Sequence, residues 1–195
     1  PFSDPQADGP AIQAAGQRAL KAGTTPASVL ELAESLKKTV TVPLVLMGYF
    51  NPILQYGEDR FAKDAARAGV AGVIVPDLPY DEGENFYSAL EREGGEGILM
   101  VAPNSPEERM RGAGRRAGGF AYCVSLLGTT GTGKDLYADL ESYLGRARRH
   151  FSVPLAVGFG IDGPERAARA AAPADGVVVG RAIVRLGEKH GRGEK

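Results

Sequence analysis

Ala68-Gly69-Val70-Ala71-Gly72-Val73-Ile74-Val75-Pro76 is the stretch on which the fold turns: the end of a helical pattern, a glycine, and then an apolar run without alternation. Such a run suits a strand covered on both faces, as in a parallel sheet. Ala172-Pro173-Ala174-Asp175-Gly176-Val177-Val178-Val179 repeats the same passage from helix to strand, and internal self-similarity favours a repetitive α/β architecture. Working outward, apolar runs bounded by Pro, Gly or Asp also occur at Pro43 to Gly48, Gly97 to Ala102, Phe120 to Val124 and Pro154 to Gly158. The six strand starts, at 43, 72, 97, 120, 154 and 176, are spaced by 29, 25, 23, 34 and 22 residues, which is the size of a βαβ unit.

The segments between the runs carry helical patterns rich in Ala and charge, as in Arg60 to Ala68 and Pro164 to Ala171. Gly9 to Lys38 also reads as helix, broken near Gly23-Thr24-Thr25-Pro26. Ser105-Pro106-Glu107-Glu108 and Asp162-Gly163-Pro164-Glu165 each predict a helix start, with Ser105 and Asp162 as capping residues. An open doubly wound sheet and a (β/α)8 TIM barrel both fit this rhythm. No G-x-G-x-x-G follows a strand into a helix, so the barrel leads. Such barrels run to about 250 residues. The expectation is therefore a single TIM-barrel domain over residues 1–195, N-terminally incomplete, with six of eight strands.

Composition narrows the function classes. With 23 Lys+Arg against 24 Asp+Glu among 195 residues, the net charge of −1 lacks the basic footprint of nucleic-acid or anionic-membrane binding. A 43% hydrophobic and 24% charged composition is that of a globular chain, and no apolar run approaches the roughly 20 residues of a membrane helix. Cys123 is the only cysteine, so an internal disulfide or cysteine-rich metal cluster is excluded and a reducing, cytoplasmic setting fits. Neither His150 nor His190 follows a strand, which speaks against a histidine mechanism or metal site. No cofactor is expected.

In a parallel barrel the active site is built from the loops that follow the strands. Ser125 to Gly133, with three glycines and four hydroxyls, has the composition of a lid that closes on an anion; an ordinary flexible loop is the alternative. Gly158-Phe159-Gly160-Ile161 and Gly180-Arg181-Ala182-Ile183 follow the last two runs. Successive Gly-bearing loops there match the phosphate site many barrels share, the alternative being turn glycines with positive φ. Proton transfer then falls to Asp8, Asp77, Tyr49 or Tyr122. Turn bonding for Asp77 and helix capping for Asp8 are equally open.

Pro1-Phe-Ser-Asp-Pro-Gln-Ala-Asp-Gly-Pro-Ala-Ile-Gln13 closely resembles the loop after the second strand of the tryptophan synthase α-subunit family. Agreements follow in order at Leu46 to Pro52, Val75 to Pro79, Ala102 to Ser105, Tyr122 to Ser125 with Gly128 to Gly131, Val157 to Ile161 and Val178 to Val184. The resemblance implies a (β/α)8 barrel that cleaves indole-3-glycerol phosphate to indole and glyceraldehyde 3-phosphate, a retro-aldol lyase step of tryptophan biosynthesis without metal or cofactor. It matches Asp8 to the carboxylate near the indole nitrogen and Tyr122 to the tyrosine beside the substrate. Gly131, Gly160, Gly180 and Arg181 match phosphate-binding backbone positions, with Phe159 in the same loop, and Thr130 matches the lid threonine that orders against the aspartate. A pyridoxal-phosphate β subunit is the implied partner, in an α2β2 heterotetramer, with Asp4-Pro5, Asn51-Pro52 and the lid facing it.

Two departures stand out. Arg181 occupies a position where the family usually has serine. The family's principal acid/base, a glutamate at the end of the second strand, falls four positions before the residue matching Pro1. A polypeptide that begins at Pro1 is therefore expected not to release indole. The competing readings are another phosphate-binding barrel isomerase or epimerase, which does not account for the 1–13 loop, and a fragment that binds without catalysis.

Overall fold

A computed structural model describes residues 1–124, 136–158 and 160–191. Two helices open the chain, α1 (Pro10–Lys21) and α2 (Pro26–Lys37), separated at the sequence break around Gly23, whose φ of +82° suits glycine. Thr25 caps α2: its hydroxyl accepts the Ser28 N–H, and the Ser28 hydroxyl accepts the Thr25 N–H in return. Strands and helices then alternate: β1 (Leu44–Met47), α3 (Phe50–Tyr56), α4 (Glu58–Arg67), β2 (Val70–Ile74), α5 (Glu84–Arg92), β3 (Glu96–Ile98), β4 (Met100–Val101), α6 (Glu107–Arg116), β5 (Ala121–Val124), α7 (Leu136–Arg148), β6 (Leu155–Gly158), α8 (Pro164–Ala171), β7 (Gly176–Val178) and α9 (Arg181–His190).

Among the described residues every strand pairing is parallel, and neighbours in the sheet are neighbours in sequence: β1-β2-β3 and β4-β5-β6-β7. β3 and β4 are one line interrupted at Leu99, whose carbonyl still accepts the Tyr122 N–H at 2.9 Å. A doubly wound sheet reverses its order at a switch point. This one runs in a single direction, as a barrel wall does, and the described strands make up a partial (β/α)8 barrel. Among the described residues α1 packs on α9, and no helix is long and apolar enough to cross a membrane.

The lack of alternation in the strands has its cause in two cores, one on each face of the sheet. Val73 and Cys123 point toward the helices with Phe86, Leu90, Met110, Leu144 and Val157; Ile74, Ile98 and Tyr122 pack on the other face with Met100, Val124 and Val178. Val157, Cys123 and Phe86 are fully buried, each large apolar side chain contributing about 1.5–3 kcal/mol by its removal from water. Burial also pushes the Cys123 thiol up to about 11, which leaves it protonated and unreactive at neutral pH.

Two expected caps are corrected. α6 begins at Glu107 behind Pro106, and the Ser105 hydroxyl accepts the Ala102 N–H at 3.0 Å instead, closing a tight turn at the end of β4. α8 begins at Pro164 behind Gly163 with no side-chain cap, and the Asp162 carboxylate is drawn to two guanidinium groups. In both places the side chain takes partners other than the backbone donors of the helix start: the Ala102 N–H for Ser105, and the Arg166 and Arg181 guanidinium groups for Asp162.

Candidate active site

The loop that precedes α1 is held over the ends of the strands by several contacts. Phe2 stacks on Tyr49 with ring centroids 5.4 Å apart. The Ala7 N–H donates to the Tyr49 hydroxyl at 2.9 Å, and the Gln13 amide donates to the Asp8 carbonyl at 2.9 Å. Gly9, not Asp8, is the N-cap of α1, with no side-chain cap bond and Pro10 in the first turn. The capping alternative for Asp8 is thereby removed. Its side chain instead lines a cavity of about 210 Å³ with Tyr122, Gly160, Gly180 and Arg181, walled by Met47, Ile161 and Val178.

Five of the eight sequence-predicted site residues therefore meet in one cavity at the C-terminal ends of the strands; Thr130, Gly131 and Phe159 lie outside the described residues. Asp77 does not line this cavity. Its carboxylate accepts the Phe50 N–H at 2.9 Å and so ties the loop after β2 to the start of α3, which is the turn-and-loop role that was its alternative. Tyr49 lies between the two aspartates: its hydroxyl is pushed up to about 12 first by burial, with the Asp8 charge, a hydrogen bond to the Asp8 side chain and the Asp77 charge adding to it.

Tyr122 is pushed up to about 12 in the same way, by burial first and the Asp8 charge second. A hydroxyl that stays protonated across neutral pH donates hydrogen bonds and is a poor base. Among the four proton-transfer candidates the tyrosines are thus donors. The Tyr122 ring crosses Gly158 on the neighbouring strand, where an added Cβ would stand 2.0 Å from the hydroxyl oxygen. The glycine that ends β6 is there to admit the tyrosine.

The two loop glycines differ. Gly160 has φ +78°, a left-handed conformation that by itself accounts for glycine. Gly180 has φ −104°, which any residue adopts, and an added Cβ would meet no described heavy atom within 4 Å. Beside Gly180, Arg181 Nη2 reaches Asp162 Oδ2 at 3.4 Å, and Arg166 Nη1 shares that oxygen at 3.1 Å. Asp162 and Arg166 were not among the predicted site residues; their i,i+4 spacing was visible, but the contact to Arg181 spans 19 positions and leaves no local pattern. A second cavity of about 410 Å³, lined by Val75, Tyr80, Leu99, Asn104 and Arg109, borders the same loop at Ala7.

The family model described as "Tryptophan synthase alpha chain" matches residues 1–195. The tryptophan synthase alpha chains of Petrotoga mobilis and Geobacter sulfurreducens are 47% identical over 186 residues and 48% identical over 189 residues, covering 95% and 97% of this chain and 72% of each relative. The crystal structure of tryptophan synthase subunit alpha from Legionella pneumophila superposes with a TM-score of 0.87 at 38% identity, covering 97% of this chain and 71% of that one. A chain from a structure of the tryptophan synthase α2β2 complex of Pyrococcus furiosus superposes with a TM-score of 0.88 at 37% identity, covering 98% and 78%. A family match over residues 1–195, sequence relatives at 47–48% identity and a shared fold agree: the chain belongs to the tryptophan synthase alpha chain family.

Proposed function

We propose that this chain is a lyase of tryptophan biosynthesis that cleaves indole-3-glycerol phosphate to indole and glyceraldehyde 3-phosphate and works with a tryptophan synthase β subunit in an α2β2 assembly in the cytoplasm. The observation that carries this reading is the meeting of Asp8 and Tyr122 with Gly160, Gly180 and Arg181 around one apolar-walled cavity. An isomerase or epimerase reading keeps the two glycine loops but gives no reason for Asp8 to be held beside them.

The reaction needs a proton delivered to indole C3, a base to take the glycerol hydroxyl proton, and negative charge near the ring nitrogen. As the C3 to glycerol carbon bond breaks, its electron pair returns to the ring and the alkoxide carbon becomes the aldehyde. Asp8 supplies the negative charge: the Ala7 to Tyr49 and Gln13 to Asp8 hydrogen bonds fix the loop in advance of the ligand. Tyr122 acts as a donor beside it. Met47, Ile161 and Val178 offer apolar surface for a flat ring, and the backbone at Gly160 and Gly180 takes the phosphate. Gly180 needs glycine for neither torsion nor packing among the described residues, which is what close approach of a ligand would require. Thr130 and Gly131 belong to the lid in this reading, and Phe159 to the phosphate loop. The C3 proton is assigned to the family's glutamate.

Adding indole-3-glycerol phosphate to the native protein and following indole release tests the reading. Release is expected, and its absence with the β subunit present overturns the proposal. Turnover by a polypeptide made of residues 1–195 alone would overturn the assignment of the C3 proton.

A further inference from the structure

We propose that the Arg181 side chain is a phosphate ligand held in reserve by Asp162, an assignment that rests on the phosphate site proposed above and adds to its backbone contacts. Among the described residues, Arg181 and Asp8 are the two charged ones that line the cavity, and they carry opposite signs. A dianionic group entering a cavity that contains Asp8 is favoured by a compensating cation, and Arg181 is the residue placed to supply it.

The geometry around Asp162 makes that cation releasable. Arg181 Nη2 stands 3.4 Å from Asp162 Oδ2, a long contact, while Arg166 Nη1 holds the same oxygen at 3.1 Å and also reaches the Gly160 carbonyl at 3.3 Å. Two guanidinium groups thus share one carboxylate, leaving a net positive charge at the cavity rim. When Arg181 turns toward a phosphate, Asp162 keeps Arg166 as its partner, so the exchange leaves no carboxylate unpaired. The side chains of Arg181 and Asp162 are 41% and 42% exposed, so their mutual attraction is screened by water and worth little. A phosphate offers Arg181 a doubly charged, bidentate partner.

A purely structural bridge between the loop after β6 and the start of α9 makes the opposite forecast, and that decides the experiment. The affinity of sn-glycerol 3-phosphate is measured by calorimetry on the native protein, on Arg181→Ser and on Asp162→Asn, at low and high salt. Loss of one charge-assisted contact weakens Arg181→Ser binding about 10-fold. Asp162→Asn is expected to bind more tightly than the native protein, because the competing carboxylate is gone. Rising salt weakens the native protein more than Arg181→Ser. Affinity unchanged in Arg181→Ser, or weakened alike in both variants, overturns the proposal. Arg181→Lys, which keeps the charge without the fork, is expected to lie between native and Arg181→Ser; if it equals Arg181→Ser, the charge argument fails. A native protein that does not bind glycerol 3-phosphate at all would overturn the phosphate site itself, a result distinct from native binding that ignores Arg181.

Discussion

Asp8 and Asp77 sit in similar settings, each in a loop punctuated by Pro or Gly over the ends of the strands, and each contributes negative charge at Tyr49. Their uses differ. The Asp77 carboxylate accepts the Phe50 N–H and anchors a helix, whereas the loop around Asp8 is held by its backbone, through the Ala7 N–H and the Asp8 carbonyl, and the Asp8 side chain lines a cavity. What separates a structural carboxylate from a candidate catalytic one here is whether the backbone of its own loop is already satisfied by other groups. Where it is, the side chain can face a cavity, as Asp8 does while also bonding the Tyr49 hydroxyl.

Substitutions can break that contrast. Asp8→Asn keeps the shape and removes the charge. Indole release should fall about 10²–10³-fold, the usual worth of a preorganised electrostatic contact, with glycerol 3-phosphate affinity retained; an unchanged rate removes Asp8 from the mechanism. Gly158→Ala probes the partner of Asp8 without touching Asp77. The new methyl group meets the Tyr122 ring in a full core, so overpacking of about 1–3 kcal/mol is expected in denaturant melts, together with lower turnover; a variant with native stability and rate would show that the close approach is unimportant.

Asp77→Ala should cost about 1 kcal/mol of stability, as loss of a helix-start acceptor does, with a far smaller effect on turnover than Asp8→Asn. If the two variants lose activity equally, the contrast between the aspartates is false. Asp175 extends the structural side of the comparison. Its carboxylate takes the Arg148 guanidinium at 2.9 Å and the Leu155 N–H at 2.8 Å, and Arg148 first, then the backbone donor, holds it below the ordinary value of 3.8. Folding then gains from the ionised form above that value and loses the gain as pH falls through the lower folded value. Asp175→Asn should therefore be less stable than native at pH 7, by about 1 kcal/mol or less for so exposed a pair, and the difference should shrink at pH 3. A gap that persists in acid would assign the effect to packing.

β2, β5 and β6 were legible as continuous apolar runs because both faces of the sheet are buried along them; β1 keeps an apolar run although Val45 and Met47 are exposed. β2 starts at Val70, ahead of the run first singled out at Gly72, because Val70 pairs with Leu44. The cavity residues were legible through their position after strands and through the family resemblance. The misplaced caps show the limit: Ser105 and Asp162 have the right side chains for capping, but Ala102 and the two arginines compete for them.

By itself the sequence determined the βα rhythm, the parallel sheet and the positions after each strand at which chemistry can reside, since these follow from short-range patterns of burial and chain stiffness. Three-dimensional structure alone decided between capping and cavity for Asp8, gave Asp77 to a helix start, and shared Asp162 between Arg166 and Arg181. Those choices depend on which donors and charges lie within about 3 Å across the fold, and spacing along the chain does not encode that distance.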